Sequence, residues 1–224
     1  MSDNNNSDNN KIQCPLCESL DHSHFAFQKA YERDFYECHD CGMIFVARYQ
    51  LLSEKEEKSR YDLHENHIRS KGYEKFLRRL INPIKELCSP DSSGLDFGEG
   101  PYPMLREIFA EDGYNKVKGY DPYYNRNEDV LSTHYDFITC SEVIEHAKSP
   151  LFLLQTLKNS LKHGGYLVIS TGIYSKDHDF LAWQYTHDDT HVNFFTDKTI
   201  LWISKSFSFE IKQRAKDLVI FLKK

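Results

Sequence analysis

The order of apolar and polar positions divides the chain into predicted strands and predicted helices. Short, mostly apolar runs suit strands that are buried on both faces of a parallel sheet. Such runs lie at 94–97, 117–120, 135–140 and 166–171. A different pattern, with apolar residues three and four positions apart, runs from Tyr73 to Ile81. It predicts an amphipathic helix within a helical stretch at 51–88.

Prolines, capping residues and glycines predict where the other elements begin and end. Prolines suit the first turn of a helix, and Ser149 can cap one. Gly164 and Gly165 are predicted to end the helix that Ser149 starts. The predicted helices lie at 102–110, 149–163 and 196–202, and a closing hairpin is predicted at 207–213 and 218–222.

Length and charge narrow the class of protein. The 224 residues suffice for one domain of about 180 residues and a small appendage. The net charge of −6 gives no overall attraction to nucleic acid or to an anionic membrane. Residues 1–10 are polar after Met1, which predicts a disordered tail and no signal peptide. No run of about 18 apolar residues occurs, so we expect no membrane partner and a cytoplasmic protein.

Four cysteines form two CxxC pairs, Cys14 with Cys17 and Cys38 with Cys41. Two such turns offer four thiolates to one tetrahedral ion, which predicts a zinc ribbon at 11–50. Disulfides are the alternative, but a reducing cytosol disfavours them. Three histidines near the CxxC pairs could replace a cysteine as a ligand, namely His22, His24 and His39. Four cysteines already complete the ligand set, however.

The predicted ribbon is acidic, with four basic and six acidic residues between Lys11 and Tyr49. Four thiolates around zinc add further negative charge. A ribbon that binds phosphates should be basic. We therefore expect a structural module that packs on the rest of the protein or shapes its substrate site.

Residues 94–100 join a predicted strand to two glycines. Gly98 and Gly100 can adopt positive φ and let the backbone approach a ligand closely. A dinucleotide-binding turn would place a third glycine at position 103, which is proline here. Asp96 lies inside the strand, where a carboxylate without a partner would be costly. The pattern therefore disfavours NAD.

An acidic residue followed by Gly-x-Gly resembles the first motif of class I S-adenosylmethionine (SAM) methyltransferases. The resemblance implies an α/β, Rossmann-like fold with a mostly parallel sheet and a C-terminal antiparallel hairpin. It implies that Asp96, Gly98, Glu99 and Gly100 form part of a SAM site. The usual third glycine is Tyr102 here, so the turn is a variant. An ordinary strand-to-helix turn is the alternative.

The predicted strand at 117–120 ends in Asp121 and Pro122. In a nucleoside-binding sheet, an acid at the end of the second strand accepts hydrogen bonds from the ribose hydroxyls. Asp121 and Pro122 are therefore predicted to contact SAM. An acid that contacts adenine would lie near Glu128 and Asp129, but no third strand is evident there.

Directly after the predicted strand at 135–140, the chain reads Ser-Glu-Val-Ile-Glu-His. This segment resembles a motif of small-molecule methyltransferases of the ubiquinone-biosynthesis type. The resemblance implies that Cys140 and Ser141 line the ligand, that Glu142 steadies the turn, and that His146 faces the acceptor. Alternatively, Glu145 and His146 are polar residues at the start of a helix.

Residues 51–90 are predicted to form a helical bridge between ribbon and SAM-binding domain. Tyr61 and His64 lie in a polar stretch before its amphipathic helix. Class I methyltransferases often cover the ligand with an N-terminal helix, so the resemblance implies that Tyr61 and His64 belong to a lid. A solvated helix face is the alternative.

Residues 183–195 concentrate histidines, aspartates and aromatic residues beyond what a connecting loop needs. They follow the last predicted parallel strand, at the edge where open α/β sheets bind ligands. Phe194 and Phe195 could exclude water from the acceptor. The residues predicted to arrange that acceptor are Tyr185, His187 and Asp188.

His191 is the first candidate for a general base, and His146 is the second. Histidine has the unperturbed pKa nearest neutrality, so it can accept a proton at about pH 7. Alternatively, His191 only fixes the shape of its loop through a hydrogen bond.

Together with these patterns, the resemblance implies a SAM-dependent methyltransferase with its SAM-binding domain at 91–224, acting on a small molecule by direct displacement. The rival function is an RNA methyltransferase that uses the zinc module for recognition, and a SAM-binding protein without catalysis is a third. A modest basic strip favours RNA, whereas the acidic ribbon disfavours it, and no DNA partner is predicted. The strip consists of Lys71, Lys75, Arg78, Arg79 and Lys85.

Overall fold

The computed structural model describes residues 12–63 and 70–224, so His64 of the predicted lid lies outside the described residues. Within these ranges the strands are β1 (His22–Gln28), β2 (Arg33–Cys38), β3 (Ile44–Val46), β4 (Gly94–Phe97), β5 (Val117–Tyr120), β6 (Tyr135–Ser141), β7 (Leu161–Ser170), β8 (Ile173–Tyr174), β9 (Asn193–Thr196), β10 (Phe209–Ala215) and β11 (Leu218–Lys223). The α-helices are α1 (Glu54–Tyr61), α2 (Lys71–Leu87), α3 (Met104–Glu111), α4 (Pro150–Asn159) and α5 (Asp197–Ser206). Three short 3-10 helices lie at Arg48–Gln50, Glu128–Ser132 and Gln184–His187.

The larger sheet has six strands in the order β10-β11-β7-β6-β4-β5. The pairs β4/β5, β4/β6 and β6/β7 are parallel, whereas β11 is antiparallel to both β7 and β10. This arrangement confirms the prediction of a mostly parallel sheet that ends in an antiparallel hairpin.

Helices cover both faces of this sheet. The apolar stripe predicted from the sequence lies in α2, which Ser70 caps by accepting a hydrogen bond from the amide of Tyr73. Helices α2 and α3 pack with Phe137 and Val168 on one face of the sheet. Helices α4 and α5 pack with Ile138 and Leu167 on the other. The strands between them are buried on both sides, which explains their continuous apolar sequences.

The smaller sheet has the order β1-β2-β3-β9-β8 and joins two distant parts of the chain. Strand β3, from the cysteine-bearing segment, pairs antiparallel with β9, with Ile44 opposite Phe194 and Phe45 opposite Asn193. Phe194 is fully buried, and its ring packs 5.5 Å from that of Phe35. Phe194 therefore belongs to a core that the two segments share, and the prediction that it excludes water from an acceptor is wrong.

Gly164 and Gly165 do not end α4, contrary to the prediction. The helix ends at Asn159, and both glycines lie within β7. A Cβ on Gly165 would lie 3.1 Å from the carbonyl oxygens of Tyr135 and Asp136 in β6. Gly165 therefore permits close approach of the backbones of β6 and β7. Glycine can serve this purpose as well as helix termination, which is why the sequence misled the prediction.

The chain from 121 to 134 contains the 3-10 helix Glu128–Ser132 in place of a further strand. Strand β5 is consequently the edge of the larger sheet. Within the described ranges, we find no helix with the length and apolar character needed to span a bilayer.

Candidate active site

A cavity of about 550 Å³ opens at the carboxyl ends of β4, β5 and β6. Its size is in the range of small-molecule sites, and open α/β sheets bind ligands at this edge. Helix α1 and the loop before β9 complete its walls. Predicted site residues that line the cavity are Tyr61, Gly98, Glu99, Gly100, Asp121, Pro122, Ser141, Glu142, His146, Asp188 and His191.

The turn after β4 depends on two glycines with positive φ, 82° at Gly98 and 67° at Gly100. A Cβ on Gly98 would overlap the side chain of Val143, so a larger residue would force the turn away from β6. A Cβ on Gly100 would meet no described atom within 4 Å. Gly100 therefore borders open cavity, which leaves room for a ligand against the backbone.

Asp121 connects this turn to the loop after β5. Its Oδ2 accepts a hydrogen bond from the amide of Gly100 at 3.0 Å. Its Oδ1 accepts from the amides of Tyr123 and Tyr124, at 2.8 and 3.0 Å. A carboxylate has about four acceptor positions and three are used here, so Asp121 retains capacity for about one hydroxyl group of a ligand.

Glu99 holds the turn against β5. Its carboxylate forms an ion pair with Arg106 at 3.1 Å and accepts a hydrogen bond from Asn125 at 2.5 Å. A Cβ on Gly119 would overlap the same carboxylate. The Glu99 side chain is therefore committed to packing within the protein, although the residue lines the cavity.

Asp96 and Cys140 are buried in the sheet and do not line the cavity. Asp96 accepts a hydrogen bond from Thr139 at 2.9 Å. Burial is the main cause that raises the pKa of Asp96 to about 7. Burial also raises the pKa of the Cys140 thiol. The structure thus places both residues behind the cavity wall and not at its surface.

Glu142 adopts a positive φ of 51° where β6 ends. Its Oε1 accepts a hydrogen bond from Ser170 at 2.8 Å, which joins the ends of β6 and β7. Glu142 therefore shapes the turn, as the resemblance implied, and it also presents a carboxylate to the cavity.

Glu145, three residues later, is fully buried and has a different environment. Its carboxylate accepts hydrogen bonds from Tyr185 at 2.5 Å and from Thr171 at 3.0 Å. Burial raises the pKa of Glu145 well above its usual value. Tyr185 does not line the cavity, so the structure uses its hydroxyl to hold Glu145 and does not bring it to an acceptor.

His146 and His191 stand side by side at the end of the cavity, with ring centroids 4.6 Å apart. Nδ1 of His146 lies 3.1 Å from the carbonyl oxygen of Thr190, and Nδ1 of His191 lies 2.7 Å from that of Tyr185. A carbonyl oxygen only accepts, so each Nδ1 carries the hydrogen and each neutral ring has its basic nitrogen at Nε2. Ligand atoms of Glu145, His146 and His191 lie within 4.8 Å of one another, a donor set that a cation could use.

His191 is 8% exposed, and burial lowers its pKa below 6.5. Asp188, with Oδ2 3.8 Å from Nε2 of His191, acts in the opposite direction. Burial tends to raise the pKa of Asp188 itself, but hydrogen bonds from Thr190 bring it below its usual value. His191 is therefore neutral and Asp188 ionised at neutral pH.

His187 lies on the exposed side of the same loop. Its Nε2 contacts the carbonyl oxygen of Leu181 at 3.1 Å, and the residue does not line the cavity. The structure therefore does not bring His187 to the acceptor end, where it was predicted.

Helix α1 covers the cavity through polar contacts. Glu57, which sequence analysis missed, accepts hydrogen bonds from Tyr61 at 2.7 Å and from Tyr123 at 3.1 Å. Lys148 forms an ion pair with Glu57 at 3.4 Å. The Tyr61 ring packs edge-on against His146 at 5.4 Å. Helix α1 has no apolar stripe in its sequence, so these contacts could not be read from periodicity.

The four cysteines of the two CxxC pairs come together in the structure. Sγ of Cys14 lies 3.5 Å from Sγ of Cys41, and Sγ of Cys17 lies 3.4 Å from Sγ of Cys38. All four sulfur atoms lie within 4.8 Å of one another, and the six cysteines in the described ranges are free thiols. Sulfur atoms bonded to one tetrahedral zinc at ~2.3 Å would be about 3.8 Å apart. The cluster therefore fits one zinc ion.

Comparison with known proteins gives both family and fold matches. Residues 66–214 match the model of a family described as a methyltransferase domain. The ubiquinone biosynthesis O-methyltransferase of Shewanella pealeana is 32% identical over 81 residues, which cover 35% of this chain and 33% of that protein. The enzyme of the same name from Aliivibrio fischeri (strain MJ11) is 30% identical over 81 residues, 36% of this chain and 34% of that protein. The chain thus spans about a third of the length of these curated relatives.

Two solved structures have a similar fold. One is 1,6-didemethyltoxoflavin-N1-methyltransferase from Burkholderia thailandensis, with bound 1,6-didemethyltoxoflavin and S-adenosylhomocysteine. It has a TM-score of 0.57 and 12% identity, and the match covers 91% of this chain and 99% of that one. The other is magnesium protoporphyrin IX methyltransferase from Synechocystis PCC 6803 with bound S-adenosylhomocysteine (SAH), with a TM-score of 0.53, 13% identity and coverage of 76% and 94%. At such identities the likeness shows the fold alone.

Proposed function

The chain belongs to the methyltransferase-domain family, and on that basis we propose that it transfers a methyl group from SAM to a small-molecule acceptor by direct displacement. One observation carries the proposal: the glycine turn, Asp121 and the histidine pair all face a single cavity. SAM, when bound, supplies a methyl group activated by a sulfonium sulfur.

The end of the cavity at Gly100 and Asp121 suits a nucleoside. Gly100 leaves open space against the backbone, and Asp121 keeps acceptor capacity for about one ribose hydroxyl. Ser141 and Glu142 lie at the end of β6, which is on the other side of β4 from β5 and Asp121. This order supports SAM bound with its ribose at Asp121 and its methionine part near Glu142.

His191 is the proposed general base. Its Nδ1 is held by the carbonyl oxygen of Tyr185, so Nε2 accepts the proton that an acceptor hydroxyl or amine loses. Because burial keeps the ring neutral, no proton must leave His191 before it can act. The carboxylate of Asp188 then stabilises the imidazolium that forms.

The charges around the cavity support a neutral or cationic small acceptor. Lys148 is the one Lys or Arg among the lining residues that the structure describes, whereas six lining residues are acidic, and of these six Glu57 and Glu99 form ion pairs, with Lys148 and Arg106. The six acidic residues are Glu54, Glu57, Glu99, Asp121, Glu142 and Asp188. An RNA backbone would meet repulsion there. The names of the matched relatives favour a hydroxyl oxygen as the methylated atom.

The basic strip that suggested RNA is largely neutralised within the protein. Arg78 pairs with Glu74 at 3.0 Å and with Asp112 at 3.1 Å, and Lys85 also pairs with Asp112 at 2.7 Å. These cations have partners already, which weakens the RNA alternative.

We also propose that Cys14, Cys17, Cys38 and Cys41 bind one structural zinc ion. A short cysteine-bearing segment has little core of its own, so bound metal contributes directly to its folding energy. The four-sulfur geometry supports this assignment.

The test is transfer of labelled methyl from SAM to the molecules of a cell extract, with and without RNase. We expect label in the low-mass fraction that RNase does not change. Label found only in RNA would contradict a small-molecule acceptor, and absence of both label and SAH would contradict catalysis.

A further inference from the structure

One buried arginine in the cysteine-bearing segment holds the loop that carries His191. Arg33 lies in β2 and is 4% exposed. Its two terminal nitrogens donate four hydrogen bonds to main-chain carbonyl groups of a single short loop. The acceptors are the carbonyl oxygens of Thr186 (2.8 Å), Asp188 (3.2 Å), Asp189 (3.1 Å) and His191 (3.0 Å).

Neighbouring side chains fix the plane of this guanidinium. The rings of Tyr31 and Phe35 each lie 5.3 Å from its central carbon. Gln28 accepts a hydrogen bond from Arg33 at 3.1 Å. The same segment supplies two further donors to the loop: Gln28 bonds the Thr186 carbonyl at 3.0 Å, and the Tyr31 hydroxyl bonds the His187 carbonyl at 2.7 Å.

Arg33 affects the cavity indirectly, through the loop to which it donates hydrogen bonds. Arg33 does not line the cavity, but Asp188 and His191 do. Arg33 holds the His191 carbonyl, while Tyr185 holds its ring, so both main chain and side chain of His191 are fixed. We propose that Arg33 is a positioning residue that sets the acceptor end of the cavity from within the cysteine-bearing segment. This inference rests on the proposed role of His191.

The chemistry of the side chain supports positioning over simple packing. A planar guanidinium offers five N–H donors in a fixed fork, whereas a lysine ammonium offers three and no plane. Nε of Arg33 is buried and has no hydrogen-bond partner among the described residues. Desolvation of the cation also lowers the pKa of Arg33. A buried cation with an unsatisfied N–H is costly, and an apolar residue would fill the space at lower cost.

The test follows the state of His191 without using any acceptor. NMR titration of the His191 ring reports its pKa, and amide hydrogen exchange reports the stability of residues 186–193. Burial is the main cause that lowers the pKa of His191, and the positive charge of Arg33 lowers it further. The negative charges of Asp188 and Glu142 raise it. Arg33→Met loses four charge-assisted hydrogen bonds to the loop, so we expect the His191 pKa to rise and loop exchange to increase at least about tenfold, the effect of losing one such bond.

Arg33→Lys keeps the charge without the fork, so we expect it to restore little of the exchange protection. Arg48→Met is the matched control, because Arg48 is an exposed arginine of the same segment. It should change neither readout. SAH affinity, measured by calorimetry, should stay within about twofold of wild type in all three variants.

An unchanged His191 titration and unchanged exchange in folded Arg33→Met would overturn the proposal, and so would full protection in Arg33→Lys. If Arg33→Met does not fold, Arg33→Lys decides, because it keeps the charge but cannot reach the four loop carbonyl oxygens at once. We expect a several-fold rise in loop exchange there, and no rise would refute the proposal. Wild-type protein that does not bind SAH would contradict the proposed function, while the titration and exchange still decide the role of Arg33.

Discussion

Replacement of Asp121 by alanine tests the SAM site most directly. The carboxylate accepts three main-chain hydrogen bonds, from Gly100, Tyr123 and Tyr124. It also faces the cavity at the end proposed for the ribose. The substitution therefore removes a ligand contact and, at the same time, a support of the turn.

The magnitudes follow from these contacts. A hydrogen bond from a ribose hydroxyl to a carboxylate contributes about 1.5 to 3 kcal/mol. Loss of the bond to Gly100 loosens the turn beside the ligand and adds about 1 kcal/mol. The dissociation constant for SAH should thus rise by roughly 50- to 1,000-fold. Three main-chain bonds at about 0.5 to 1.5 kcal/mol each also predict a lower midpoint of thermal unfolding.

Calorimetric titration with SAH measures the affinity, and a thermal melt confirms that the variant is folded. Asp129→Ala is the matched control, because Asp129 is an exposed acid of the 3-10 helix Glu128–Ser132 and, contrary to the expected adenine contact, does not line the cavity. Its affinity should stay within about twofold of wild type. An SAH affinity within about threefold of wild type in folded Asp121→Ala would show that Asp121 does not hold the nucleoside.

Three further predictions concern the base and the metal. His191→Asn should slow methyl transfer about 10²- to 10⁴-fold and leave the SAH affinity within about threefold of wild type. His187→Asn, which changes a residue outside the cavity, should keep the wild-type rate. An equal loss of rate in both variants would contradict the assignment of His191 as the base. Burial holds the pKa of His191 below 6.5, and the neutral ring is the base. The rate of methyl transfer should therefore fall only as the pH drops below that value. A midpoint of the pH–rate profile above about pH 7 would argue for another base. Elemental analysis should find about one zinc per chain. The zinc should be lost in Cys38→Ser and kept in Cys88→Ser, because Cys88 lies outside the cluster. Full zinc content in Cys38→Ser would exclude the four-cysteine site.

Features set by neighbours in the chain could be predicted from the sequence. The CxxC spacing brought four sulfur atoms together, and the Gly-x-Gly turn with Asp121 at the end of the next strand placed these residues at one cavity. The stripe of α2 and the closing hairpin followed from periodicity. In each case the signal is a short motif or a regular spacing, and the paired motifs lie at most 27 residues apart in the chain.

Features set by distant contacts could not be predicted in this way. Glu142 and Glu145 look alike in the sequence, and only the packed fold makes one a cavity residue and buries the other against Tyr185. Arg33 gave no signal, because its acceptors are main-chain oxygens far along the chain. Phe194 resembled a loop aromatic because its partner strand belongs to the N-terminal segment.

The pairing of β3 with β9 has a consequence for synthesis of the protein. Strands β1 to β3 are made before β9, which follows all the parallel strands of the larger sheet. At about 5 to 20 residues per second, β3 waits on the order of ten seconds for its neighbour. During this time it is an open sheet edge with a fully apolar sequence, the kind of surface that invites pairing with other chains. The edge of β3 therefore stays without its β9 partner until Asn193–Thr196 has been made, and pairing of strands so far apart in the chain is typical of slow folding steps.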